Sequence, residues 1–127
     1  MRFDKFTIKS QELIQNSQAL ASQHGHQQIE PEHLLAAMLQ EREGIAVAML
    51  RKLGVSPTDI NRRVMAALEK LPQISGAGVG EAYLSPRAKA VLEAAFAEAG
   101  KMKDEYVSIE HIFLAIAEEK KSEAAAV

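Results

Sequence analysis

The sequence predicts an all-α fold made of two copies of one helical unit. Apolar residues recur at three- and four-residue spacing along most of the chain, and no stretch alternates apolar and polar residues over a strand's length. The later part of the chain also repeats the earlier part. Slid by 78 positions, Phe6–Glu41 falls on Leu84–Glu119 without a gap. Identities include Glu32/Glu110, His33/His111, Ala37/Ala115 and Glu41/Glu119. Conservative matches such as Thr7/Ser85, Ile29/Val107 and Leu35/Phe113 fall mostly where a residue should face a core.

Taken in order, the first helix follows Thr7, whose hydroxyl suits an N-cap, and carries Ser10, Leu13, Ser17, Leu20 and Ala21 on one stripe. The segment His24-Gly25-His26-Gln27-Gln28 is a polar break. A second helix opens at Glu30-Pro31-Glu32-His33, with proline in the first turn, and runs through Leu34, Leu35, Met38 and Leu39. A short third helix carries Ile45, Met49 and Leu53 until Gly54 stops it. Ser56-Pro57-Thr58-Asp59 starts a fourth, with Ile60, Val64, Ala67, Leu68 and Leu71 on one face. Three glycines and a proline between Leu71 and Gly80 mark a linker. In the second copy Ser85 caps a helix that begins at Pro86 and carries Val91, Leu92, Ala95, Phe96 and Ala99; Ile112, Phe113, Ile116 and Ala117 repeat the second helix.

The expected layout is a first repeat over 1–71, a Pro/Gly linker over 72–82 and a second repeat over 83–127. The second repeat is incomplete: at the same offset Glu123–Val127 matches Ile45–Met49, and the chain stops there. The fold expected is therefore a pseudo-two-fold pair of four-helix units with the second truncated at its C-terminus, and the chain reads as a fragment.

With 127 residues, 47% hydrophobic and 25% charged, the chain suits one globular domain. Seventeen acidic residues against fifteen scattered basic ones leave no cationic face for nucleic acid. The absence of cysteine excludes disulfides, thiolate metal sites and cysteine nucleophiles. No apolar run approaches the roughly 18 residues of a membrane span, and Met1–Phe6 has no secretory character, so a monomeric cytoplasmic domain without membrane contact is expected.

Gly76-x-Gly78-x-Gly80 lacks the strand and spacing of a phosphate loop and reads as linker. His24 and His26 have no acidic or thiol partner close in sequence, so a helix-ending turn accounts for them better than a metal. Ser17, His33 and Asp104 can be assembled into a nominal triad, but no nucleophile turn accompanies them, and catalysis is not expected. The pairs Glu32-His33 and Glu110-His111 stand out because the repeat places both. Structurally, each glutamate suits a helix first turn and each histidine can pack under the preceding loop. Functionally, two pseudo-symmetric carboxylates can accept hydrogen bonds from a peptide main chain or an arginine.

The segments Met1–Glu12, Glu30–Leu35 and Leu71–Gly76 resemble those of ClpB-type chaperone N-terminal domains. The resemblance implies a substrate-binding module of a hexameric AAA+ disaggregase that works with the Hsp70 system on unfolded or aggregated polypeptide. It implies no cofactor in this chain, since ATP and magnesium belong to the absent ATPase modules. By the same resemblance Thr7, Asp104 and Glu110 are the substrate-contacting polar positions. His111 and Tyr106 lie by the apolar groove, where Ala94, Glu98 and His111 replace leucines and Tyr106 or Phe113 is expected to contribute. The alternative is docking of an adaptor or an arginine-phosphorylated protein at Glu32 and Glu110, as in ClpC-type relatives. A third reading, a metal-dependent enzyme using His24, His26, His33 and His111, is the one that metal analysis would eliminate.

Overall fold

The structure is a computed structural model that describes residues 3–73 and 82–119. After a 3-10 turn at Phe3–Lys5, the elements are α1 (Ile8–Gln23), β1 (Gln28–Ile29), α2 (Pro31–Gln40), α3 (Ile45–Lys52), α4 (Pro57–Glu69), β2 (Tyr83–Leu84), α5 (Pro86–Lys101) and α6 (Ile109–Glu118). Most of the expected linker lies outside the described residues, as does the end of the second repeat beyond Glu119.

The helices start where side chains absorb the free N–H groups of a first turn. Thr7 Oγ1 accepts from the Ser10 amide at 3.1 Å, and its repeat counterpart Ser85 accepts from Ala88 at 3.0 Å. The starts of α2 and α6 use histidine instead. His33 Nδ1 accepts the Glu30 amide at 2.8 Å, and His111 Nδ1 accepts the Ser108 amide at 2.9 Å. Each histidine occupies the third helical position, closing a capping box in the place where Glu or Gln is usual. The helix ends match as well. Gly25 at φ 71° and Lys103 at φ 60° both turn left-handed after α1 and α5. The next residue then donates back into the helix, His26 to Ala21 and Asp104 to Ala99, each at 2.8 Å.

The two copies are joined crosswise by short parallel pairings. Ile29 of β1 lies opposite Leu84 of β2, and an isolated bridge sets Phe6 opposite Val107. The 78-residue offset converts one pair into the other, so this is a pseudo-two-fold with each copy completing its partner. Flanking amides extend it: Thr7 donates to Val107 at 2.9 Å and Ser85 to Ile29 at 3.1 Å. Two-residue pairings are too short to leave a period-2 pattern in the sequence, and the all-α class stands with them added.

The larger of two apolar clusters serves both copies. Leu34, Leu92 and Ile112 are fully buried in it, with Phe6, Leu68 and Ile116 nearly so. Helix α2 is buried along Pro31–Met38 because α1, α4 and α6 all pack against it. Ser10 and Ser17 sit on the buried stripe of α1 with their hydroxyls donating to the carbonyls of Val107 at 3.0 Å and Leu13 at 2.8 Å, which removes the cost of burying them. Four expected core residues face outward. Ile45 and Leu53 are exposed because α3 turns Ala46, Val47 and Leu50 inward. Phe96 and Ala117 flank the inward stripes of α5 and α6 rather than joining them.

Candidate functional site

Because the Thr7–Val107 bond holds the start of α1 against the start of α6, a groove of about 580 Å³ opens between those two starts, α2 and α3. Its floor is Leu13, Ala37, Met38 and Ala46. Ile8 and Ile45 stand at its mouth with 75% and 45% of their surface exposed, apolar area that a ligand would remove from water. Among the described residues Glu12, Glu41, Glu43 and Glu110 line it with Lys9 as the one basic side chain, which leaves this lining negative. Gly44 caps α3 at its edge, where an added Cβ would come within 3.0 Å of the Glu41 side chain.

Behind the start of α6, His111 is buried between two partners. Its Nδ1 accepts from the Ser108 amide, so the proton belongs on Nε2, which donates to Asp104 Oδ2 at 2.9 Å. The first copy has the same arrangement with one change, since position 26 replaces 104. His33 accepts from Glu30 and faces His26 Nδ1 at 2.8 Å through Nε2. Burial, and then the neighbouring His26 and His24, pushes His33 down to about 4; burial first and His24 second lower His26.

The two-fold mate of the groove's carboxylates meets a different fate. Glu32, the counterpart of Glu110, is 2% exposed and paired with Arg87 at 3.3 Å. The same guanidinium reaches Glu119, the counterpart of Glu41, at 3.1 Å and Glu30 at 3.7 Å. Burial opposes the charge of Arg87, but Glu32 and Glu119 outweigh it and hold the group more firmly protonated than an ordinary arginine.

Residues 5–127 match the Clp repeat (R) N-terminal domain. The chain belongs to that family. It is 45% identical over 116 residues to the chaperone protein ClpB of Porphyromonas gingivalis, a match covering 91% of this chain and 13% of the relative. The Hsp104 N-terminal domain of Candida albicans superposes with a TM-score of 0.81 at 29% identity, over 91% of this chain and 75% of that one. A ClpV N-domain solved in complex with a VipB peptide shares the fold, with a TM-score of 0.75 at 17% identity over 92% and 70% of the two chains. This chain therefore spans about an eighth of the length of its ClpB relative, and the domain match occupies nearly all of it.

In this Clp N-terminal domain the residues singled out from sequence separate into three places. Thr7 and Glu110 line the open groove, where the Thr7 hydroxyl is engaged with Ser10 as the cap of α1. Asp104 and His111 are hydrogen-bonded to each other behind the start of α6, with Tyr106 exposed on the loop between them. Glu32 lies on the other face under Arg87. Phe113 is buried in the core, Ala94 is exposed on α5, and Glu98 pairs with Lys101 at 3.9 Å. Ser17, His33 and Asp104 each bond elsewhere and do not meet. Among the described residues no three His, Asp or Glu side chains are placed to hold a metal, and no helix is long and apolar enough to cross a membrane. Sequence reasoning missed Ile8 and Ile45 as groove residues and Arg87 as the partner of Glu32. The signal for Arg87 was present, since it aligns with Lys9 in the repeat.

Proposed function

We propose that the groove between α1 and α6 captures extended apolar segments of unfolded or aggregated polypeptide for a ClpB-type disaggregase. The observation that carries this reading is the exposure of Ile8 and Ile45 at the mouth of a concave apolar floor. Isolated exposed apolar residues need no explanation, but two beside an apolar cleft mark an interaction surface. Glu110 on the rim can accept main-chain or cationic hydrogen bonds from the segment seated there. Asp104 and Tyr106, on the loop before α6, extend the contact surface alongside, and His111 acts by holding Asp104 and the α6 start in place.

The remaining expectations belong to the parent protein: a hexameric cytoplasmic AAA+ machine cooperating with the Hsp70 system, with ATP and magnesium held in its ATPase modules. Six copies on one ring would turn weak single-site binding into useful avidity through high effective concentration. A second reading, docking of an adaptor or an arginine-phosphorylated protein, gains support from the peptide complex of the ClpV N-domain. For that reading Glu110 is the available carboxylate, since Glu32 already has Arg87.

The test is a residue-resolved NMR titration with a reduced, alkylated and therefore permanently unfolded polypeptide, run on the wild type, I8D and E110K. Shifts centred on Thr7, Ile8, Ile45 and Glu110, lost in both variants while their melting temperatures hold, support capture. Shifts elsewhere, or unchanged binding in I8D, overturn the groove assignment.

A further inference from the structure

The two-stranded pairing of β1 with β2 leaves one side of β1 unused. The carbonyls of Gln27 and Ile29 face β2, accepting from Tyr83 at 3.3 Å and from Ser85 at 3.1 Å. In a parallel ladder the main-chain groups of the residue between them, Gln28, point to the opposite side. Its neighbours on that side are already engaged: the His26 amide donates to Ala21 at 2.8 Å and the Glu30 amide to the His33 ring at 2.8 Å. Among the described residues nothing pairs with the amide or the carbonyl of Gln28. Gln28 also lines a second cleft, of about 300 Å³, together with His26, Gln27, Tyr83, Leu71 and Pro72. This cleft shares no lining residue with the groove between α1 and α6.

We infer that β1 and this cleft form a strand-addition site, where an extended polypeptide bonds through its main chain to Gln28. The occupant follows from what the edge offers. One unpaired donor and one unpaired acceptor on a strand edge are complemented by an extended main chain, which carries both groups on every second residue. Leu71 and Pro72, just beyond α4, supply an apolar surface for one side chain of the added strand. Binding through main-chain groups takes its affinity from the backbone and little of it from sequence, which suits chains that share only the absence of a fold. Two hydrogen bonds make a weak contact. It goes beyond the groove, gives a long unfolded chain a second point of attachment, and does not require the groove to bind.

The experiment uses the whole 127-residue chain, titrated with an acetylated and amidated Thr-Val hexapeptide of alternating sequence. The same peptide with esters in place of its amides removes every main-chain donor while keeping the shape. The readouts are the chemical shift and hydrogen-exchange rate of the Gln28 amide, with the Tyr83 and Leu71 amides as neighbours. The peptide is expected to move the Gln28 amide downfield and to slow its exchange. The ester analogue on wild type, and the peptide on Q28P, should each bind roughly two- to tenfold more weakly, the effect of one neutral hydrogen bond. If Q28P does not fold, the ester analogue on wild type still decides. An unmoved Gln28 amide, or equal binding of peptide and ester, overturns the inference. Gln28 protection that grows with protein concentration in the absence of peptide assigns the edge to a second copy and overturns it as well. Shifts at Ile8 and Ile45 with a silent Gln28 would leave the capture reading standing alone, and the reverse pattern would leave the strand site without the groove.

Discussion

Acid should loosen this domain through His33. His33 is fully buried with both ring nitrogens committed: Nδ1 accepts from the Glu30 amide and Nε2 faces His26. A second proton has to go onto Nδ1, where it displaces the amide that caps α2. In the unfolded chain the same ring titrates near its ordinary 6.5, while in the fold it is held down to about 4. A lowered folded value means that the unfolded state takes up the proton first, so the stabilisation is complete above 6.5 and is lost as pH falls toward 4. Between pH 7 and pH 5 this one group removes about 2 kcal/mol of folding free energy, worked from those two values by proton linkage. His26, lowered in the same direction, adds to the loss. The assay is urea unfolding followed by far-UV circular dichroism at pH 7, 6 and 5, since the chain has no tryptophan to report by fluorescence. The decisive variant is H26D, which gives the first copy the carboxylate that Asp104 supplies in the second. An anion beside His33 favours its protonated form and raises the folded value, so H26D should flatten the loss between pH 7 and pH 5. A wild type equally stable at pH 7 and pH 5, or an H26D profile as steep as wild type, would refute the reasoning.

Two further outcomes follow from the packing and the caps. Leu34, fully buried in the core shared by both copies, should lose about 2–5 kcal/mol of stability as L34A, read as a lower urea midpoint with an unchanged slope. S85A removes both the acceptor for the Ala88 amide and the donor to Glu30, so a loss of about 1–2 kcal/mol is expected, with S85T recovering most of it.

Much of the helical frame was legible locally. The caps at Thr7, Ser56 and Ser85, the prolines at the starts of α2, α4 and α5, and the stop at Gly54 act within one turn of sequence. Glu32 and Glu110 were visible as a related pair because they share a helix position. Their separation was not, because it depends on what each carboxylate meets across the two-fold: Arg87 in one case and open solvent in the other. The outward turn of Ile45 was equally hidden, since α3 is about two turns long and its inward face is chosen by its neighbours.

By itself, then, the sequence determined the helices, which follow from nearest-neighbour and one-turn spacing, the repeat, which a plain offset reveals, and the absence of cysteine chemistry, which is a matter of composition. Only the tertiary structure decided which copy stays open. The crosswise pairings Phe6–Val107 and Ile29–Leu84 bring together residues more than fifty positions apart, and beside them Arg87 covers Glu32 on one face while its counterpart Lys9 leaves Glu110 exposed in the groove on the other.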